Sequence, residues 1–134
     1  MPNLNLDNQK NFDPLIASRA IVDGLKYLKK RLGWSNIKIC TILHLSPHTL
    51  GIWLNNETIP IENSTLHPDV QVIIHLLAIH RSLEVMFNDS ANQRQWLSTI
   101  HPELNDIPEK VMGKSIDGLI HIRQYLDSVR ERGA

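Results

Sequence analysis

Ser35-Asn-Ile-Lys-Ile-Cys-Thr-Ile-Leu-His-Leu-Ser-Pro-His-Thr-Leu-Gly-Ile-Trp-Leu-Asn-Asn56 holds two helix starts in close succession. Ser35 is an N-cap, its hydroxyl free to accept from the first unpaired backbone N–H groups, and a short helix over 36–43 follows with Ile39, Cys40 and Leu43 inward. His44-Leu45-Ser46-Pro47 is a turn ending in a second cap with proline at the first helical position, where its missing N–H costs nothing. A further helix then carries Leu50 and Trp53 on one face and stops near Asn55-Asn56. Two short helices joined by a tight turn make a helix-turn-helix pattern. Cys40, Leu45, Leu50 and Trp53 fill its small and apolar slots. The turn position that usually holds a left-handed glycine is His44, which tolerates that region at modest cost.

Upstream, Asp13-Pro14 is another cap-plus-proline start. Leu15, Ile16, Ala20, Ile21, Leu25, Leu28 and Leu32 recur at helical spacing to Gly33, a C-cap, with Lys26, Lys29 and Lys30 on the opposite face. Residues 1–13 lack periodicity and read as a flexible arm. Downstream, Pro60 and Pro68 bracket a linker over 61–68. The reading therefore divides the chain into a helix-turn-helix unit over 14–60 and a second unit over 69–134. That second unit opens with a long helix over 69–87 bearing Val72, Ile73, Leu76, Leu77, Leu83, Met86 and Phe87. Asp89 or Ser90 caps the next helix, with Trp96 and Leu97. His101-Pro102 breaks it, Asp106-Ile107-Pro108 opens a short one, and Ser115 caps a last helix with Ile116, Leu119, Ile122, Leu126 and Val129 inward. No stretch alternates with period two long enough to be a strand, so the expected fold is all-α.

The chain has 134 residues, and its 14 basic and 14 acidic residues cancel. The halves do not cancel: residues 1–60 hold seven bases against four acids, and residues 61–134 seven against ten. This fits nucleic acid on one side and another partner on the other, or simply two differently solvated surfaces. The longest apolar run, Val72 to Ile79, contains His75 and is too short to span a bilayer. The polar N-terminus does not read as a signal peptide, so none is expected. Cys40 is the single cysteine, which excludes an internal disulfide framework and a Cys-rich zinc site. A cytoplasmic protein without membrane contact is expected.

Catalytic chemistry finds no constellation. His75 and His80 are five apart, about 140° around a helix, and cannot share a metal as an i, i+4 pair does. His44 and His48 straddle the turn, while His67, His101 and His121 have no ligand partners nearby. There is no phosphate-binding glycine loop and no nucleophile elbow, and Cys40 faces inward on a short helix. No enzyme, cofactor or metal is expected.

On the helix after Pro47, the candidate DNA contacts are Ser46, His48, Thr49, Ile52 and Asn55. Serine, threonine and asparagine can hydrogen-bond phosphates or an adenine edge. No arginine or lysine lies on this helix, so phosphate neutralisation falls to Lys38 and the cluster from Lys26 to Arg31. The alternative is a helix-turn-helix kept as a packing scaffold. A homodimer is expected, because two half-site readers offset a weak recognition helix.

The run Ile79-His-Arg-Ser-Leu-Glu-Val-Met-Phe-Asn-Asp, then Trp96-Leu97, Leu104-Asn105, Pro108, Met112, Gly118-Leu119, Arg123, Tyr125-Leu126-Asp127 and Gly133 resembles the toxin-binding domain of the Xre/MbcA/ParS antitoxin family. The resemblance covers roughly residues 70–134. Asp106 stands where the family often has glycine, and Ile107 where a small or polar residue precedes the proline. The resemblance implies a type II antitoxin that dimerises, neutralises a RES-domain toxin that destroys NAD, and binds its own promoter. By position it implies toxin-facing roles for Tyr125, Arg130, Glu131, Arg132, Gly133 and Ala134. A slim Gly-Ala tip with a terminal carboxylate would suit an electropositive dinucleotide cleft. The other reading of residues 1–134 is a stand-alone DNA-binding regulator without a toxin.

Overall fold

Every described helix begins where a short polar side chain or a proline allows it. In the computed structural model, which describes residues 13–59, 61–62, 65–66 and 68–133, the Asp13 carboxylate accepts from Leu15 N at 2.9 Å and starts α1 (Pro14–Leu32). Ser35 accepts from Lys38 N and starts α2 (Asn36–Leu43). Ser46 accepts from Thr49 N and starts α3 (Pro47–Asn56). α4 (Pro68–Met86) follows. Asp89 caps α5 (Ser90–Ser98), α6 (Pro108–Lys114) has proline in its first turn, and Ser115 caps α7 (Ile116–Glu131). The protein is all-α, as its periodicity indicates. To the helices is added a minimal antiparallel pair, β1 (Ile61–Glu62) with β2 (Thr65–Leu66), Ile61 opposite Leu66. Strands of two residues are too short to show alternation, so the pattern reads only as a connection. The arm before Asp13, His67 and Ala134 lie outside the described residues.

The helix-turn-helix-like first half forms as the caps dictate. Gly33 ends α1 at φ 65°, and His44 ends α2 in the same left-handed region at φ 59°. His44 also gains something glycine lacks: its Nε2 lies 3.1 Å from the Met112 carbonyl of α6. After α3 the chain is clamped back onto α1, where buried Ser18 accepts from Ile59 N at 2.6 Å and donates to Ile59 O at 3.2 Å. Both polar groups of a buried residue are thereby satisfied.

α4 is the central helix. Val70, Val72, Ile73, Leu76, Leu77, Ile79 and Leu83 are all buried, too many for one stripe, because α1 and α7 pack on different sides of it. A helix apolar around most of its circumference belongs inside. One contiguous apolar core joins Ile21, Leu25 and Leu28 of α1 to Leu50 of α3, Leu97 of α5, Met112 of α6 and Leu119, Ile122 and Leu126 of α7. Some residues expected inward are not. Leu15 and Ile16 are exposed because the buried stripe of α1 follows Ala17, Ile21, Leu25, Leu28 and Leu32 instead. Ile116, the first residue of α7, sits at its open end and is also exposed, and Val129 is half-buried. No single described helix is long and apolar enough to cross a membrane.

Candidate functional site

Two surfaces answer to the sequence reading, one on α3 and one around the end of α7. On α3, His48, Ile52 and Asn55 are exposed at spacings of four and three residues, forming one open helical face. Thr49 is half-buried, and its hydroxyl accepts from Ser46 Oγ at 2.8 Å. Ser46 is thus occupied as a cap on both counts, leaving His48, Ile52 and Asn55 as the freely presented side chains. Lys38 stands apart from them. Its ammonium is 3.0 Å from Glu109 of α6 and 5.2 Å from the centroid of the Trp34 ring. Of the nearby cations, Lys26 pairs with Glu57 at 3.1 Å and Arg31 with Glu84. The basic surplus of the first half is therefore partly neutralised by acids within the fold, a pairing that counting charges cannot reveal.

At the other surface, Tyr125 of α7 stacks on Trp96 of α5 with ring centroids 6.4 Å apart, and Trp96 lies 4.6 Å from the His101 ring. His101 Nε2 also meets the Trp96 carbonyl at 2.8 Å. Burial raises the Tyr125 hydroxyl above its ordinary pKa, and Glu103 beside it adds to the rise. Arg132 is 3.6 Å from the same Glu103, so the turn after α7 is drawn toward the 101–106 loop. Arg130 donates from Nη1 to the buried Ser82 Oγ of α4 at 3.3 Å. Glu131 and Gly133 are exposed, and Gly133 takes φ 78°. The structure thus gathers Tyr125, Arg130, Glu131, Arg132 and Gly133 at one end of the molecule. Ala134 is not among the described residues.

That end also has a feature the sequence concealed. Phe87, Asn92, Gln95, Trp96, Thr99 and His101 line a shallow groove of about 450 Å³. Phe87 and Trp96 stood out from spacing, whereas Asn92, Gln95, Thr99 and His101 reach the groove through the packing of α5 and the following loop.

The 101–106 loop accounts for Asp106, one of the two departures from the family pattern. The left-handed residue is Asn105, at φ 52°, and Asp106 has no positive φ to accommodate. The Asp106 carboxylate instead accepts from Ile107 N at 2.7 Å and meets Lys114 at 3.3 Å. The backbone hydrogen bond first, and Lys114 second, hold its carboxyl below the usual range.

A third organised polar group joins α1, α4 and α5. Glu84 of α4 accepts from Arg31 Nε at 3.2 Å and Nη2 at 3.0 Å and from Gln93 Nε2 at 2.6 Å. Burial pushes its pKa up, but the hydrogen bonds from Arg31, Tyr27 and Gln93 outweigh that and hold it at about 2. His80, one turn earlier and 3.7 Å from Glu84, is buried and its pKa is lowered by that burial.

The fold and geometry define an all-helical protein with a helix-turn-helix-like first half and a helical C-terminal portion ending in an organised surface. Residues 82–132 match the family model for the antitoxin Xre/MbcA/ParS C-terminal toxin-binding domain. The match contains α5, α6, all of α7 and the whole Trp96 groove. No curated protein matches the chain significantly.

Proposed function

We propose that the protein is the antitoxin of a type II toxin–antitoxin module and that its partner is a RES-domain toxin that degrades NAD. The similarity of residues 82–132 to a toxin-binding domain carries this reading. The end of α7 and the turn after it, with Tyr125, Arg130, Glu131, Arg132, Gly133 and Ala134, face the toxin and occlude its active site. Residues 14–60 act as the DNA-reading unit and 69–134 as the toxin-binding unit, in the cytoplasm and without catalysis of their own. A homodimer presents two α3 helices, each offering His48, Ile52 and Asn55, to the operator of its own operon. Because α3 carries no cation, specificity rests on few contacts and on DNA shape.

The test is to tag the N-terminus, capture the protein from its native cells and identify stoichiometric partners. A RES-type protein is expected, and truncation after Leu126 should abolish neutralisation measured as preserved cellular NAD. Capture of DNA alone, with no protein partner, would instead establish a stand-alone regulator. The open face of α3 favours that second reading, and its mark would be a sequence-selective DNA affinity that falls with salt.

A further inference from the structure

Among the described residues, α1 has a second face that no other element covers. Ile16, Ala20, Asp23 and Tyr27 follow one another at spacings of four, three and four residues, the alternation of a two-helix seam. The ends of this stripe are apolar and exposed, Ile16 at 67% and Tyr27 at 49%. Between them, exposed Arg19 and Asp23 form no ion pair among the described residues. Ala20 and Gly24 add little bulk, so a trough of about 850 Å³ opens between α1 and α4 with Leu77 and His80 lining it. Tyr27 is already oriented there, its ring 5.7 Å from that of His80.

We propose that this face of α1 packs antiparallel against the same face of a second copy of the chain, Ile16 meeting Tyr27 of the partner subunit and Arg19 pairing with Asp23 of the partner subunit. The inference rests on the homodimer reading above and supplies its interface. A two-fold axis crossing α1 at the level of Ile21 and Val22 brings position 16 level with 27 and position 20 level with 23. Eleven residues of helix separate the apolar ends, a seam about 16 Å long. The charges choose the direction. Parallel packing sets Arg19 against Arg19 and Asp23 against Asp23, whereas antiparallel packing forms two opposite-charge pairs at once. Such a contact is isologous and closes at two copies.

Sedimentation equilibrium of the full chain tests this, with Arg19→Asp, Asp23→Arg and the combined swap. Both sites are exposed, and circular dichroism checks that the variants fold. The wild type should be a dimer, each single reversal should weaken it at least about tenfold, and the combined swap should restore it. A dimer indifferent to both reversals would overturn this interface while leaving the homodimer reading intact. A wild type that stays monomeric at concentrations on the order of 100 µM would overturn both. Direction is read separately by mixing Ile16→Cys and Tyr27→Cys proteins, where Cys40, being buried, stays out of the reaction. Disulfides between the two variants support the antiparallel register, and disulfides only within each variant overturn it.

Discussion

Gly118 shows how much one residue decides. Its neighbour in space is the backbone of Val111 in α6, and a Cβ placed at Gly118 would collide with the Val111 carbonyl oxygen and lie 3.0 Å from its carbon. Backbone cannot swing aside as a side chain does, so α6 and α7 approach this closely only because position 118 has no side chain. Gly118→Ala should therefore destabilise the protein by about 1–3 kcal/mol, despite alanine's better helix propensity. Urea denaturation measures it, and an unchanged or raised midpoint would show that the two helices separate freely. The Gly118-Leu119 pair was legible as part of a family pattern, but its physical reason was not, since nothing in the sequence says which backbone lies opposite. The same holds for His44. A left-handed residue was expected there, whereas its tie to the Met112 carbonyl, from a helix 68 residues further on, was not.

At the scale of elements, local signals were readable and long-range pairings were not. Asp13, Ser35, Ser46, Asp89 and Ser115 all cap the helices they precede, because capping is chemistry within three residues. Arg31 with Glu84 and Lys38 with Glu109 join residues 53 and 71 apart in sequence, and composition sees only their charges. The Glu84 cluster makes a pH prediction. His80 and His75 have pKa values lowered by burial, for His75 with Arg123 opposing its charge as well. Below the ordinary histidine value of 6.5, the unfolded chain takes up protons there that the folded chain resists. Stability is therefore greatest above that value and declines as pH falls through it. Glu84 acts lower: its contribution is present above 4.5 and lost as pH falls from 4.5 toward about 2, a loss on the order of 3 kcal/mol. Melting temperature should fall in two stages on acidification. His80→Gln should flatten the first without abolishing it, since His75 remains, and Glu84→Gln should remove much of the second. A melting temperature that holds level between about pH 7 and pH 5 would show that the histidines are not held neutral.

Across the whole molecule, the contiguous core makes the helix-turn-helix-like first portion and the helical C-terminal portion depend on each other for stability. α4 lies between α1 and α7, so its buried Ile73, Leu76, Ile79 and Leu83 are covered only when elements from both portions are in place. Arg31 of α1 also donates to Glu84 of α4 and to the Asn88 carbonyl just before α5. Removing residues 14–60 would uncover that face of α4 and leave Glu84 without its strongest donor, an arrangement in which burial raises rather than lowers the carboxyl's pKa. Equilibrium unfolding should consequently be one transition, as in small single-core chains. Trp34 and Trp53 report on the first portion and Trp96 on the second, so variants keeping only one reporter set can be followed separately in urea. Their midpoints should coincide, and a shift caused by Arg31→Ala should appear equally at Trp96. Midpoints that separate, with Trp96 insensitive to Arg31→Ala, would mean the two portions fold independently and that partner binding at one end cannot stabilise the other. Coincident midpoints carry the opposite consequence. By linkage, a partner held at the end of α7 raises the global unfolding free energy and so protects the helix-turn-helix-like portion from local unfolding to the extent that this requires opening the shared core.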